Sequence, residues 1–118
     1  MQTLDRQRLN TILNNFVVEC KTTFGDNLCG VRLFGSYARG DDNEDSDIDI
    51  MVILDINDDA RKNRNDICRI AAILELKYHI SISPVLYSKE EYDIRKVFGF
   101  CRNVEKEGVN QYVRQAYV

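Results

Sequence analysis

Proline is nearly absent from this chain, with Pro84 the only one among 118 residues, and histidine is represented by His79 alone. No run of about 18 or more apolar residues is available to span a bilayer. The opening Met1, Gln2, Thr3, Leu4, Asp5, Arg6 lacks the apolar centre of a secretory leader. A soluble, cytoplasmic protein without membrane contact is therefore expected. The cysteines at 20, 29, 68 and 101 form no C-x-x-C pair. With one histidine to add a nitrogen ligand, zinc is disfavoured, and reduced, mostly packed thiols are expected instead. An excess of base is missing too. The 16 Lys and Arg stand against 19 Asp and Glu, a formal net charge of -3, which argues against a protein that grips nucleic acid by a broad basic face. The local cluster Arg61, Lys62, Arg64 reads as a solvated helix face.

What is present is an ordinary globular composition, 44% hydrophobic and 30% charged, so residues 1–118 are expected to form a single domain around one core. Leu9, Ile12, Leu13, Phe16, Val17 and Cys20 recur at helical spacing, which predicts an amphipathic helix ending near Gly25. Gly30 to Phe34 reads as a short strand running into Gly35. Ser46 to Leu54 alternates at its start and is continuously apolar at its end, as expected of a central strand covered on both faces. A second long helix is predicted over 58–78 through Ile67, Ile70, Ala71, Leu74 and Tyr78. Residues 79–87 are rich in β-branched side chains, but Pro84 cannot donate to a ladder, so this strand is placed at an edge or given a bulge. Ser88-Lys89-Glu90-Glu91 has the form of a capping box and starts a helix to about Val97; Gly99 interrupts it, and a last helix runs from Phe100 to Glu107 with Gly108 as its stop. The order α-β-(short α)-β-α-β-α belongs to an α/β or α+β domain.

The chemistry is concentrated at the start of the central strand. Asp47 and Asp49 are separated by one residue, so both carboxylates project from the same strand face. Met51 and Ile53 continue that face into the core, which leaves the acids where a buried surface opens. Between 41 and 49 stand six acids, Asp41, Asp42, Glu44, Asp45, Asp47 and Asp49, with no base among them. Such a group calls for a cation, and an all-oxygen ligand set selects Mg²⁺, Mn²⁺ or Ca²⁺. A calcium loop starting at Asp41 fails, because Ser46 stands where the glycine is needed and Val52 where the bidentate glutamate is needed. Gly35-Ser36 supplies a complementary half-site: a strand ending in Gly-Ser before a short helical turn presents backbone N–H groups and a hydroxyl to an anion, with Arg39 one turn further on to neutralise a polyphosphate.

Taken together, G-S-Y-A-R-G-D-D-N-E-D-S-D-I-D-I over 35–50 resembles the signature of the nucleotidyltransferase superfamily shared by DNA polymerase β, in particular its minimal members; the tail F-G-F-C-R-N-V-E-K-E-G-V is similar to theirs as well. The resemblance implies a nucleotidyltransferase fold, a small mixed β-sheet flanked by helices. It implies that Gly35 and Ser36 hold the nucleotide's phosphates, and that Asp47 and Asp49 bind Mg²⁺ or Mn²⁺ and are the catalytic acids. ATP is the implied substrate. Family members of this size are often antitoxins that adenylylate a tyrosine of a HEPN-domain RNase toxin, so a HEPN-type protein partner is implied. The family's third carboxylate belongs on the following strand, where this chain has Ser81-Ile82-Ser83-Pro84-Val85. Neither serine can act as that acid, which keeps a second expectation open: a weakly catalytic or inactive binding module that neutralises its partner by occlusion. A homo-oligomer is also left open. His79 is expected as a surface residue at a strand start, and Tyr37 as packing over the loop or stacking on a nucleobase. Tyr112 and Tyr117 are expected to close the core or to meet a partner.

Overall fold

The computed structural model describes residues 5–115. Helix α1, Arg6–Phe24, is capped by the Asp5 carboxylate, which accepts from the Arg8 N–H at 2.7 Å. Its apolar stripe buries Leu9, Ile12, Leu13, Phe16 and Cys20. A 3-10 turn over Gly25–Asn27 leads into β1, Leu28–Phe34, followed by the four-residue helix α2, Ser36–Arg39. Strand β2 runs Ile48–Leu54 and helix α3 runs Ala60–Tyr78, capped by Asp59. Strand β3, Ile82–Ser88, ends at Ser88, whose hydroxyl accepts from the Glu91 N–H while the Glu91 carboxylate accepts from the Ser88 N–H. That reciprocal pair opens α4, Lys89–Arg95. Helix α5, Gly99–Glu107, and strand β4, Val109–Val113, complete the order.

The sheet is mixed, with order β3-β2-β1-β4; β1 is antiparallel to both β2 and β4, and β2 is parallel to β3. Helices α1 and α3 cover one face, where Ile48, Ile50, Val52 and Leu54 meet Ile12, Phe16, Ile67 and Leu74. Helices α4 and α5 cover the other, where Met51 and Ile53 pack with Tyr92, Cys101 and Val104. This is the α+β architecture expected, and β2 is the buried central strand. Strand β3 with Pro84 lies at an edge, as the missing N–H requires. No helix among the described residues is long and apolar enough to cross a membrane. Cys20 and Cys101 are buried, Cys29 is half-buried and Cys68 is exposed, all as free thiols.

Two expectations need correction. His79 does not start a strand: it closes α3 in the left-handed conformation, φ 55°, with its N–H donating to the Glu75 carbonyl at 2.9 Å. The exit falls on a residue type that seldom adopts it, so no glycine marks the helix end. The chain after Gly108 is also not mere tail, since Val109–Val113 adds β4 to β1. Its side chains are half-buried or exposed and carry no apolar alternation, so its strand character comes from backbone pairing. Tyr112 packs against the core beside α1, with Lys21 Nζ 5.1 Å from its ring centre; Tyr117 lies outside the described residues. The exposed Arg61, Lys62 and Arg64 lie on α3.

Candidate functional site

Strand β1 delivers Gly35 and strand β2 delivers Asp49 to the same end of the sheet, because antiparallel pairing sets Phe34 opposite Asp49. The two then meet closely. Gly35 has φ +73°, and a Cβ built there would stand 2.1 Å from Asp49 Oδ2. Only glycine satisfies both the backbone conformation and the contact. Ser36 begins α2 directly after it, and its hydroxyl makes no hydrogen bond among the described residues. Tyr37, on α2, is buried in the core.

Asp47 enters from a loop held by local turns. The Asn43 side-chain oxygen accepts from the Asp45 N–H at 2.8 Å, and the Ser46 hydroxyl accepts from the Asn43 N–H at 2.9 Å. The Ile48 N–H then donates to the Ser81 carbonyl at 2.8 Å, fixing the strand start between the two acids. Asp47 is exposed and Asp49 half-buried. Neither accepts a hydrogen bond or joins an ion pair among the described residues. Burial raises the Asp49 pKa above the ordinary carboxylate value and the neighbouring Asp47 charge raises it further, while Arg39 acts in the opposite sense. Two unsatisfied, mutually repelling carboxylates beside a glycine turn suit a hard divalent cation, with oxygen ligands still to be supplied by water or a phosphate.

Arg39 reaches the same neighbourhood but is drawn sideways. Its Nε lies 3.1 Å from Asp41 Oδ2 and its Nη1 3.5 Å from Glu107 Oε2. On the other flank, parallel pairing sets Ser83 beside Asp49. Among the described residues no group of three or more His, Cys, Asp or Glu is placed to hold a metal. The position opposite the acids is a serine in space as well as in sequence.

Two cavities adjoin this end of the sheet. One, of about 350 Å³, borders Asp47 on the α1 and α3 side and is walled by Arg8, Glu44, Asp45, Glu75 and His79. The other, of about 230 Å³, borders Gly35 and Arg39 and is walled by Phe34, Phe100, Asn103 and Glu107. The α5 side chains were not tied to the site by sequence reasoning. A signal was present: 100, 103, 104 and 107 recur at one-face helical spacing, with Val104 buried and the others turned toward the Gly35 end.

The glycine turn carrying Ser36 thus stands against the paired aspartates of the neighbouring strand, in the arrangement expected from residues 35–50. The family model described as the nucleotidyltransferase domain matches residues 13–109, and the chain belongs to that family. A candidate protein adenylyltransferase of Methanocaldococcus jannaschii is 38% identical over 96 residues, covering 80% of this chain; the chain spans 65% of that relative's length. The crystal structure of a candidate nucleotidyltransferase from Sulfolobus solfataricus superposes with a TM-score of 0.61 at 25% identity, covering 92% of this chain and 83% of the other. A chain of a toxin-antitoxin complex crystallised with AMP-PNP shares the fold at a TM-score of 0.52 and 22% identity, covering 86% of this chain and 73% of its own.

Proposed function

We propose that this chain transfers AMP from ATP to a hydroxyl of a partner protein, with pyrophosphate as the leaving group. The observation that carries the reading is the contact between Gly35 and the Asp49 carboxylate, which sets the Gly-Ser turn directly against the aspartate pair. Asp47 and Asp49 would hold Mg²⁺ or Mn²⁺. The bound cation supplies charge neutralisation and alignment for displacement at phosphorus. Gly35 lets a phosphate approach the backbone, the Ser36 hydroxyl is free to donate to it, and Arg39 can exchange its contacts with Asp41 and Glu107 for a phosphate oxygen. The likeness to a protein adenylyltransferase supports AMP as the transferred group. The acceptor is proposed to be a HEPN-type toxin; the fold shared with a chain of a toxin-antitoxin complex agrees with this.

A second reading is favoured by one observation. Ser83 is the register neighbour of Asp49, so no acid stands there to deprotonate an acceptor or complete a cation shell. In that reading the chain binds nucleotide weakly and silences its partner by occlusion. Incubation with the product of the neighbouring gene, Mg²⁺ and ATP, followed by intact mass spectrometry, separates the two. AMP-sized additions that vanish with Asp47→Asn plus Asp49→Asn establish transfer. Neutralisation of the partner with no added mass, retained by that double variant, establishes occlusion.

A further inference from the structure

We infer that the cavity between β1 and α5 is the nucleoside subsite of this centre, with Phe100 as the stacking surface for the base and Asn103 as its hydrogen-bonding partner. The assignment rests on the nucleotidyl-transfer reading above. Phe100 is 47% exposed although it lies on a helix whose packing is carried by Cys101 and Val104. Its ring meets Phe34 edge-on, with centroids 5.3 Å apart and planes at 81°. That contact orients the ring while leaving nearly half of the residue open, and Phe34 is the residue that runs into Gly35. The Asn103 amide, one turn along α5 from Phe100, makes no hydrogen bond among the described residues. It offers both a donor and an acceptor to the edge of a base.

Charge decides between the two cavities. The cavity beside Asp47 sets Glu44, Asp45, Asp47 and Glu75 against the single guanidinium of Arg8, a net acidic wall that disfavours a triphosphate laid across it. The cavity beside Gly35 holds Glu107 already facing Arg39 and is otherwise walled by aromatic, aliphatic and amide groups. A nucleotide with its phosphates at Gly35-Ser36 therefore extends toward Phe100, which leaves the Asp47 side for the acceptor. Stacking of a base on an aromatic ring is sequence-tolerant and worth about tenfold in affinity.

The test compares Mg²⁺ with ATP and Mg²⁺ with inorganic tripolyphosphate as probes, by calorimetry, on the wild type, Phe100→Ala, Phe100→Leu and Asn103→Ala. Leucine keeps apolar volume on α5 should alanine fail to fold. The expected result is an affinity for ATP reduced about tenfold in the Phe100 variants and reduced also in Asn103→Ala, with tripolyphosphate binding unchanged. Unaltered ATP affinity in Phe100→Leu, or equal losses for both probes, would overturn the subsite. So would intact ATP affinity with a raised KM for the protein acceptor, which would give Phe100 to the acceptor instead. A wild type that binds neither probe sinks the nucleotidyl-transfer reading itself.

Discussion

Gly35 is the residue on which the site depends most directly. A single added methyl would meet Asp49 Oδ2 at 2.1 Å and sit on a backbone at φ +73°. Gly35→Ala is expected to destabilise the fold by about 1 to 3 kcal/mol and to abolish the stabilisation that Mg²⁺ with ATP confers, both read from thermal melts. Asp49 has the opposite stability sign. Burial, and then Asp47, raise its pKa, so the folded state holds the proton more tightly than the unfolded chain. Its ionisation therefore costs stability as pH rises above the unfolded carboxylate range. Asp49→Asn is expected to melt higher than the wild type without metal at pH 7 and to lose the rise produced by Mg²⁺ or Mn²⁺ with ATP. A lower metal-free midpoint would mean that Arg39 already compensates the charge. The Gly-Ser and D-x-D pairs were legible because each is local in the chain, whereas the helical spacing of Phe100, Asn103 and Glu107 gives them a shared face of α5 without saying that this face packs toward Gly35.

Elements whose stability is written into neighbouring residues were the easiest to foresee. The stripes of α1 and α3, and the box formed by Ser88 and Glu91, are local patterns and fold as such. Ser88→Ala is expected to cost about 1 kcal/mol in denaturant melts, because it removes the acceptor for the Glu91 N–H. Strand β4 is the converse case. It is held from outside itself: the Arg32 guanidinium on β1 donates to the carbonyls of Val104, Glu105 and Gly108 at 2.8 to 3.3 Å and to the Asn110 side chain. Gly108 has to lack a side chain, since a Cβ would stand 2.4 Å from the Val104 carbonyl and 2.9 Å from Arg32 Nε. Arg32→Met is expected to cost about 2 kcal/mol and to speed amide exchange in β4 ahead of β2. Uniform exchange through the sheet would show that β4 stands without this clamp. None of these contacts spans fewer than 72 residues, which is why the strand was missed.

Across the whole molecule the distribution of charge sets the conditions under which the site can be occupied. The net charge is -3, and six acids lie between 41 and 49 at the mouth of the sheet. A free ATP anion approaching Gly35 meets this field before it meets Ser36 or Arg39. Screening weakens interactions between exposed charges beyond about 10 Å at 0.1 M salt. Metal-free ATP binding should therefore be weak and should strengthen, or stay level, as NaCl is raised. Binding of ATP with Mg²⁺ should depend little on NaCl, because the acids and the cation neutralise one another at the site. A protein that holds anions through a basic face behaves in the reverse way, with affinity falling steeply as salt is added. Titration of fluorescent ATP at several NaCl concentrations, with and without Mg²⁺, reads the sign directly. A steep loss of metal-free affinity with salt would mean that Arg39 and its neighbours, rather than the aspartate pair, dominate the field at Gly35.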